Sequence, residues 1–297
     1  MPELPEVETV ARGLQISVAG RRIVSVKLRK TDFIDDPVAL ERELPGSTIA
    51  RIERFGKFML LRLGPGMASR ESRALLVHLG MTGNLAPHFA EQALDKHTHV
   101  MLGLDDGREL RYTDPRRFGR MAYLAGETLA AELLRFGAEP LEVTEKEFAE
   151  RFRGSKARVK ALLLDQSVLR GVGNIYADES LWSAGIHPAK AGEKLTAQEA
   201  KGLRRALQKI LKKAIEMRGS SIADFVDAEG QPGDYQRHHK AYGREDEKCF
   251  RCGRGIKRII VAGRSSFFCP GCQRPPRKVA RGGRKTKRKG QVSTSKA

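Results

Sequence analysis

Residues 249–272 read Cys-Phe-Arg-Cys-Gly-Arg-Gly-Ile-Lys-Arg-Ile-Ile-Val-Ala-Gly-Arg-Ser-Ser-Phe-Phe-Cys-Pro-Gly-Cys and hold all four cysteines of the chain. Two Cys-x2-Cys pairs, Cys249/Cys252 and Cys269/Cys272, stand sixteen residues apart. This is zinc-ribbon spacing, in which two knuckles present four thiolates tetrahedrally to one Zn2+. Gly253 and Gly271 fall where knuckle turns need open backbone. Residues 258–261 and 265–268 read as short strands joined by Ala262-Gly263-Arg264. Four thiolates leave no open coordination position, so the metal is expected to be structural. The alternative is a pair of disulfides, which suits an oxidising compartment; a chain without a basic-then-apolar leader is expected in the cytosol.

Upstream of the ribbon the hydrophobic period changes once. Val7, Val10, Ala11, Leu14 and Val18 recur at helical spacing and predict a helix over 4–19. Short alternating runs follow: Val24/Val26/Leu28, Ile49/Ile52, then 58–63, 74–79, 97–104, 109–112 and 120–123. Gly, Pro and Asp punctuate them, which predicts antiparallel strands in a sandwich or barrel. From about residue 127 the period is helical, over 129–136, 145–152, 157–164, 176–182 and a long run at 197–217. The expected fold class is therefore α+β: an N-terminal antiparallel β-sandwich with a leading helix (2–126), a helical domain (127–235) and the zinc ribbon (236–273). Residues 274–297 are expected to be a disordered basic tail.

Charge points to the partner. Among 297 residues, 55 are Lys or Arg and 36 are Asp or Glu, a formal net charge of +19. An excess of this size favours a polyanion, nucleic acid before membrane, because neutralising phosphates releases counterions. Ten of the cations and no acid lie between Gln273 and Ala297, so removing that segment lowers the charge from +19 to +9. No apolar run approaches a membrane span. A monomer in the cytoplasm, associated with the nucleoid, is expected.

The N-terminus, Met1-Pro-Glu-Leu-Pro-Glu-Val-Glu8, carries chemistry. Initiator Met is normally removed before a small residue, which leaves Pro2 as a free secondary amine beside Glu3. An α-amino group titrates at roughly 7.7–8.0, so part of it is an unprotonated nucleophile. Adding to an aldehyde-like carbon, proline gives an iminium with no N–H to lose. Glu3 and Glu6 could move protons around that centre. The structural alternative is an acidic helix start, which Pro and Glu in the first turn also suit.

Two loops stand out. Gly171-Val-Gly-Asn-Ile-Tyr176 lies between helices; its glycines would bring backbone amides close to a phosphate, or simply make a tight interhelical turn. Tyr112-Thr-Asp-Pro-Arg-Arg-Phe-Gly119 is a turn between strands, where adjacent arginines and an aromatic suit a loop that presses into DNA with an apolar wedge.

Seven motifs together, PELPEVE, RFGKFML, HLGMTG, KHTHV, YTDPRRFG, GVGNIYADE and GRSSFFCPGC, make the chain resemble the bacterial formamidopyrimidine-DNA glycosylases. The resemblance runs from Pro2 to about Gln273. It implies a bifunctional repair enzyme that excises oxidised purines such as 8-oxoguanine and nicks the abasic site, and a helix–two-turn–helix element in the helical domain. Relatives called endonuclease VIII, which prefer oxidised pyrimidines, tend to begin PEGPEI; Leu4 favours the purine branch. The rival from another class is a non-catalytic zinc-ribbon DNA-binding protein.

The same resemblance implies roles. Pro2 attacks C1′, Glu3 donates a proton to the sugar ring oxygen, Lys57 assists β-elimination near the scissile phosphates, and Arg264 binds phosphate and assists δ-elimination. Lys57 alone would also suit an edge strand. Met81, Arg116 and Phe118 fill the hole left by the extruded base, though Met81 and Phe118 alone would read as core. His97, Lys156, Lys160 and Asn174 contact DNA, and the cysteines hold one structural Zn2+. The partner is double-stranded DNA containing oxidised bases or abasic sites. Two features depart from the family pattern: Ala223, where some members have lysine in the loop over the flipped base, and the long basic tail.

Overall fold

The computed structural model describes residues 1–64, 72–222 and 225–275. Ala223 and almost all of the basic tail, residues 276–297, lie outside the described residues. Helix α1 (Leu4–Val18) leads, followed by β1 (Ile23–Leu28), α2 (Pro37–Glu43), β2 (Ile49–Phe55), β3 (Phe58–Leu63), β4 (Arg73–His78), β5 (Asn84–Phe89), β6 (Thr98–Leu104), β7 (Arg108–Thr113) and β8 (Arg120–Ala125). The strands form two antiparallel four-stranded sheets, ordered β1-β6-β7-β5 and β2-β3-β4-β8. Between them lies one apolar core, to which α1 contributes Val7, Val10, Leu14 and Val18.

Strand alternation explains the layering. In β3, Met59, Leu61 and Leu63 face the inter-sheet core, whereas Leu60 faces the other way with Leu76 of β4 and Ala122 of β8. That outer face is covered by α3 (Gly126–Leu134), which inserts Leu129. A sheet buried on both faces reads as a near-continuous apolar run, as 58–63 and 74–79 do apart from Arg62 and His78. Two elements were not expected. Strand β5 contains Pro87 and pairs only with β7, at the sheet edge where a residue without an N–H is tolerated. Helix α2 is short, with Pro37 in its first turn and Asp36 capping Ala39 N at 3.0 Å, and it buries only Leu40.

The helical part comprises α4 (Glu145–Phe152), α5 (Val159–Leu164), α6 (Asn174–Ala184) and α7 (Ala197–Glu216). Helix α7 buries Ala200, Leu203, Leu207, Leu211 and Ala214 along one stripe and opens with a Thr196/Glu199 capping box. Leu4 of α1 packs into this second core. Arg54 of β2 joins the two parts, accepted by Glu8 at 2.8 Å and by both oxygens of Glu139 at 3.0 Å. The chain then closes with the hairpin β9 (Lys257–Val261) and β10 (Arg264–Phe268).

Candidate active site and DNA face

Pro2 and Glu3 precede α1, and Glu3, its N-cap, has extended backbone. The Glu3 carboxylate does not cap its own helix. It reaches to the start of α6, where Ile175 N donates to Oε1 at 3.0 Å and Tyr176 N to Oε2 at 3.4 Å. The positive end of the α6 dipole thus holds an anion. The glycines of the 171–174 loop serve this contact. A Cβ on Gly173 would lie 2.2 Å from Glu3 Cδ, and Gly171, at φ +92°, accepts Leu4 N through its carbonyl at 3.0 Å. Two amides at the end of this loop, those of Ile175 and Tyr176, therefore hold the protein's own carboxylate rather than a phosphate. Burial pushes the Glu3 carboxyl above its ordinary range, against the pull of Lys57 and the two amides.

Lys57 occupies the β2–β3 turn rather than an edge strand. Gly56 before it adopts φ +63°, and a Cβ there would meet Arg170 Cβ at 3.0 Å, so the turn sits on the loop that holds Glu3. Burial lowers the ammonium's pKa, Glu3 opposes that, and Arg264 adds to it. Pro2, Glu3, Lys57, Met81, Asn174 and Arg264 all line one cleft of about 370 Å³, with Ile222 and Phe225 on its wall. Asn174 Oδ1 is buried there with no hydrogen-bond partner among the described residues.

Glu6 lies behind Glu3. Its carboxylate accepts Glu3 N at 2.9 Å, the Tyr176 hydroxyl at 2.5 Å and Ser220 N at 2.7 Å. Burial, reinforced by the charge of Glu3, pushes its pKa up to about 7. His239 continues the chain through Ser220 Oγ at 3.1 Å, a contact that nothing in its local sequence foretold.

The four cysteine sulfurs lie within 4.8 Å of one another, Cys249 to Cys272 at 3.9 Å and Cys252 to Cys269 at 3.3 Å. Four convergent thiol donors fit one structural zinc ion. Above them the β9–β10 turn, Ala262-Gly263, has φ of 51° and 70°, the left-handed pair of a tight hairpin, and it delivers Arg264 to the cleft. The hairpin is bolted to α6. Asp178 Oδ2 accepts Phe267 N at 2.9 Å, and Lys160 Nζ donates to Ser265 O at 2.8 Å while pairing with Asp178 at 2.7 Å. Neighbouring Glu179 accepts the amides of Lys240, Ala241 and Tyr242.

Lys160 is therefore corrected: its side chain is 0% exposed and committed to that pair, so it cannot meet a DNA phosphate. Lys156 is exposed but lies in the loop before α5, not on the helix. The other DNA-side candidates sit on exposed loops. Met81 is 44% and Phe118 58% exposed, which excludes core packing for both. The Arg116 guanidinium lies 4.6 Å from the Phe118 ring centre, and Arg117 is tied to Asp32 at 3.0 Å, whereas Arg116 forms no salt bridge among the described residues. Half-buried His97 immediately precedes β6 and accepts Asp114 N through its carbonyl at 3.0 Å.

Residues 1–121 match the formamidopyrimidine-DNA glycosylase N-terminal domain, 136–226 its H2TH domain and 246–275 a zinc finger found in FPG and IleRS. A formamidopyrimidine-DNA glycosylase of Herpetosiphon aurantiacus is 43% identical over 278 residues, spanning 92% of this chain and all of the relative. The chain belongs to the formamidopyrimidine-DNA glycosylase family. Two crystal structures of the Lactococcus lactis family member share the glycosylase fold, each covering 92% of this chain and 100% of that one. The complex with abasic-site DNA has 36% identity and a TM-score of 0.84. The complex with Fapy-dG DNA has 35% and 0.83.

Asp114, Asp178, Glu179 and Tyr176 were missed as site residues. An acid pair within an otherwise apolar helical run, as in Tyr-Ala-Asp178-Glu179-Ser-Leu, is the signal that could have found two of them, since buried charges need partners.

Proposed function

We propose that this glycosylase excises oxidised purines, 8-oxoguanine and formamidopyrimidines, from duplex DNA and nicks the abasic site by β,δ-elimination. With Met1 removed, the Pro2 nitrogen bonds to C1′ and the base leaves with the electrons of the glycosidic bond. Glu3 gives a proton to the ring oxygen, the sugar opens, and an iminium joins Pro2 to C1′. The iminium acidifies C2′, so loss of a proton there expels the 3′ phosphate; a second elimination expels the 5′ phosphate. Lys57 and Arg264, on opposite elements, attend the two phosphates. Zinc would supply no step; held by the four cysteines, it would stiffen the hairpin that aims Arg264. Met81, Arg116 and Phe118 fill the vacated stack, and His97, Lys156 and Asn174 contact the backbone.

The observation that carries this reading is convergence: Pro2 with Glu3, Lys57 and Arg264, from three distant places in the sequence, line one cleft. Borohydride should trap the protein covalently on a duplex with 8-oxoguanine opposite cytosine, and not on undamaged duplex. Trapping only on oxidised pyrimidines would favour the endonuclease VIII reading, and binding without any adduct would favour the non-catalytic one. No helix among the described residues is long and apolar enough to cross a membrane. We further propose residence on the nucleoid, with the ten tail cations as a tether. Deleting residues 274–297 should flatten the salt dependence of duplex binding, by roughly 0.9 per lost phosphate contact.

A further inference from the structure

The Met81 turn, the Arg116–Phe118 turn and His97 come from separate stretches, yet one buried residue, Asp114, bonds to all three. Asp114 is completely buried. Its Oδ1 accepts Thr82 Oγ1 at 2.6 Å and Arg116 N at 3.2 Å, and its Oδ2 accepts the Tyr112 hydroxyl and Gly119 N, each at 3.1 Å. Its own amide donates to His97 O at 3.0 Å, and its carbonyl lies 3.2 Å from His99 Nε2. Every polar atom of the residue is thereby engaged. The Thr82 bond is the one that crosses to the turn bearing Met81, and the carboxylate makes it charge-assisted.

The two turns also touch backbone to backbone. A Cβ on Gly80 would lie 2.5 Å from the Phe118 carbonyl carbon, and one on Gly119 would lie 2.7 Å from His78 O, just before the Met81 turn. Such contact leaves no room for the turns to slide, but holds nothing together. The flanking strands pair His78 with Arg120 and Asn84 with Thr113; between the turns themselves, the directional link among the described residues is Thr82 to Asp114.

We propose that Asp114 and Thr82 are positioning residues that join the Met81 turn and the Arg116–Phe118 turn into one preassembled wedge. This rests on the reading of Met81, Arg116 and Phe118 as the residues that replace an extruded base. A wedge assembled before contact meets the stack with its apolar tips and its cation already in register, so the opening of the duplex carries no added cost of ordering two loops. The consequence falls on steps that need a base to be expelled. It does not fall on the chemistry at C1′, whose groups lie on other elements.

The test is Thr82→Val, which keeps the shape of the side chain and removes only the hydroxyl, compared with Thr82→Ser, which restores it. Single-turnover excision of 8-oxoguanine opposite cytosine should slow by about ten-fold in Thr82→Val, the worth of one hydrogen bond to a charged group, and recover in Thr82→Ser. Incision of a preformed abasic site in the same duplex should change by less than about two-fold, because no base remains to be expelled. Discrimination between cytosine and adenine opposite the lesion should narrow. Equal losses on both substrates, or no loss on either, would overturn the proposal. Failure of the unaltered protein to form any borohydride adduct would instead overturn the glycosylase reading beneath it.

Discussion

Two buried lysines stand near α6, each facing a buried carboxylate, and their settings differ. At the helix start, Glu3 takes two amide hydrogen bonds while Lys57, buried nearby, forms no salt bridge among the described residues, and both open on the cleft. One turn along, Lys160 and Asp178 are both 0% exposed, touch at 2.7 Å, and spend their remaining bonds on β10. Burial lowers both lysine pKa values, and it raises both carboxyls, Asp178 to about 7. Perturbed titration alone therefore cannot separate the open pair from the closed pair. Access to a cavity and the lack of a committed partner do separate them.

The largest expected effect is at the open pair. Glu3→Gln keeps an oxygen for the α6 amides but cannot supply a proton, so excision should fall by about 10²–10⁴-fold with the melting temperature nearly unchanged. If Glu3→Gln lost stability and activity in step, the two carboxylates would be alike and the contrast would collapse.

At the closed pair the order reverses. Lys160→Met strands a buried carboxylate and should destabilise the protein by about 3–5 kcal/mol, while the double variant Lys160→Met/Asp178→Leu should recover much of that loss. Denaturant titration of the two variants decides it. A Lys160→Met protein of normal stability that bound DNA weakly would return Lys160 to the phosphate contacts.

The hairpin between the pairs sharpens the contrast further. Cys269→Ser should lose zinc, the order of β9 and β10, and DNA affinity together, whereas Arg264→Ala should keep zinc by elemental analysis and lose affinity or δ-elimination only. Active protein without zinc would break this separation.

The smallest effect is in pH. Glu6 titrates near 4.5 unfolded and at about 7 folded, so its protonated form favours the fold. The stability it contributes is complete below pH 4.5 and is lost as pH rises to about 7. Glu6→Gln should flatten the fall in melting temperature across that window. An unchanged slope would remove Glu6 from the account.

Much of this was legible in the sequence. The ribbon spacing, the 3.6-residue stripe of α7 and the short apolar run of β3 need only local pattern, and they named those elements within a few residues. Strand β5 was missed because Pro87 argues against a strand unless its edge position is known. Among candidate site residues, Pro2 and Arg264 could be singled out because motif and chemistry agreed, and both line the cleft. Lys160 was misread because burial depends on a partner, Asp178, that only the fold supplies. The 171–174 glycines were legible only as positions of close approach: their sequence cannot say that Gly173 faces Glu3 and Gly171 faces Leu4. Asp114 looked like a turn former, which it is, and its links to Thr82 and His97 lie in residues far apart along the chain.

The central claim is that the nucleophile is the N-terminal amine at the open end of this arrangement, with Lys57 beside it but not bonded to substrate. Borohydride reduction on 8-oxoguanine duplex, followed by protease digestion and mass spectrometry of the crosslinked peptide, tests it most directly. The sugar remnant should sit on Pro2, and a chain that keeps Met1 should give no adduct while still binding duplex. A crosslink mapped to Lys57, or an adduct of undiminished yield from the Met1-retaining chain, would contradict the account.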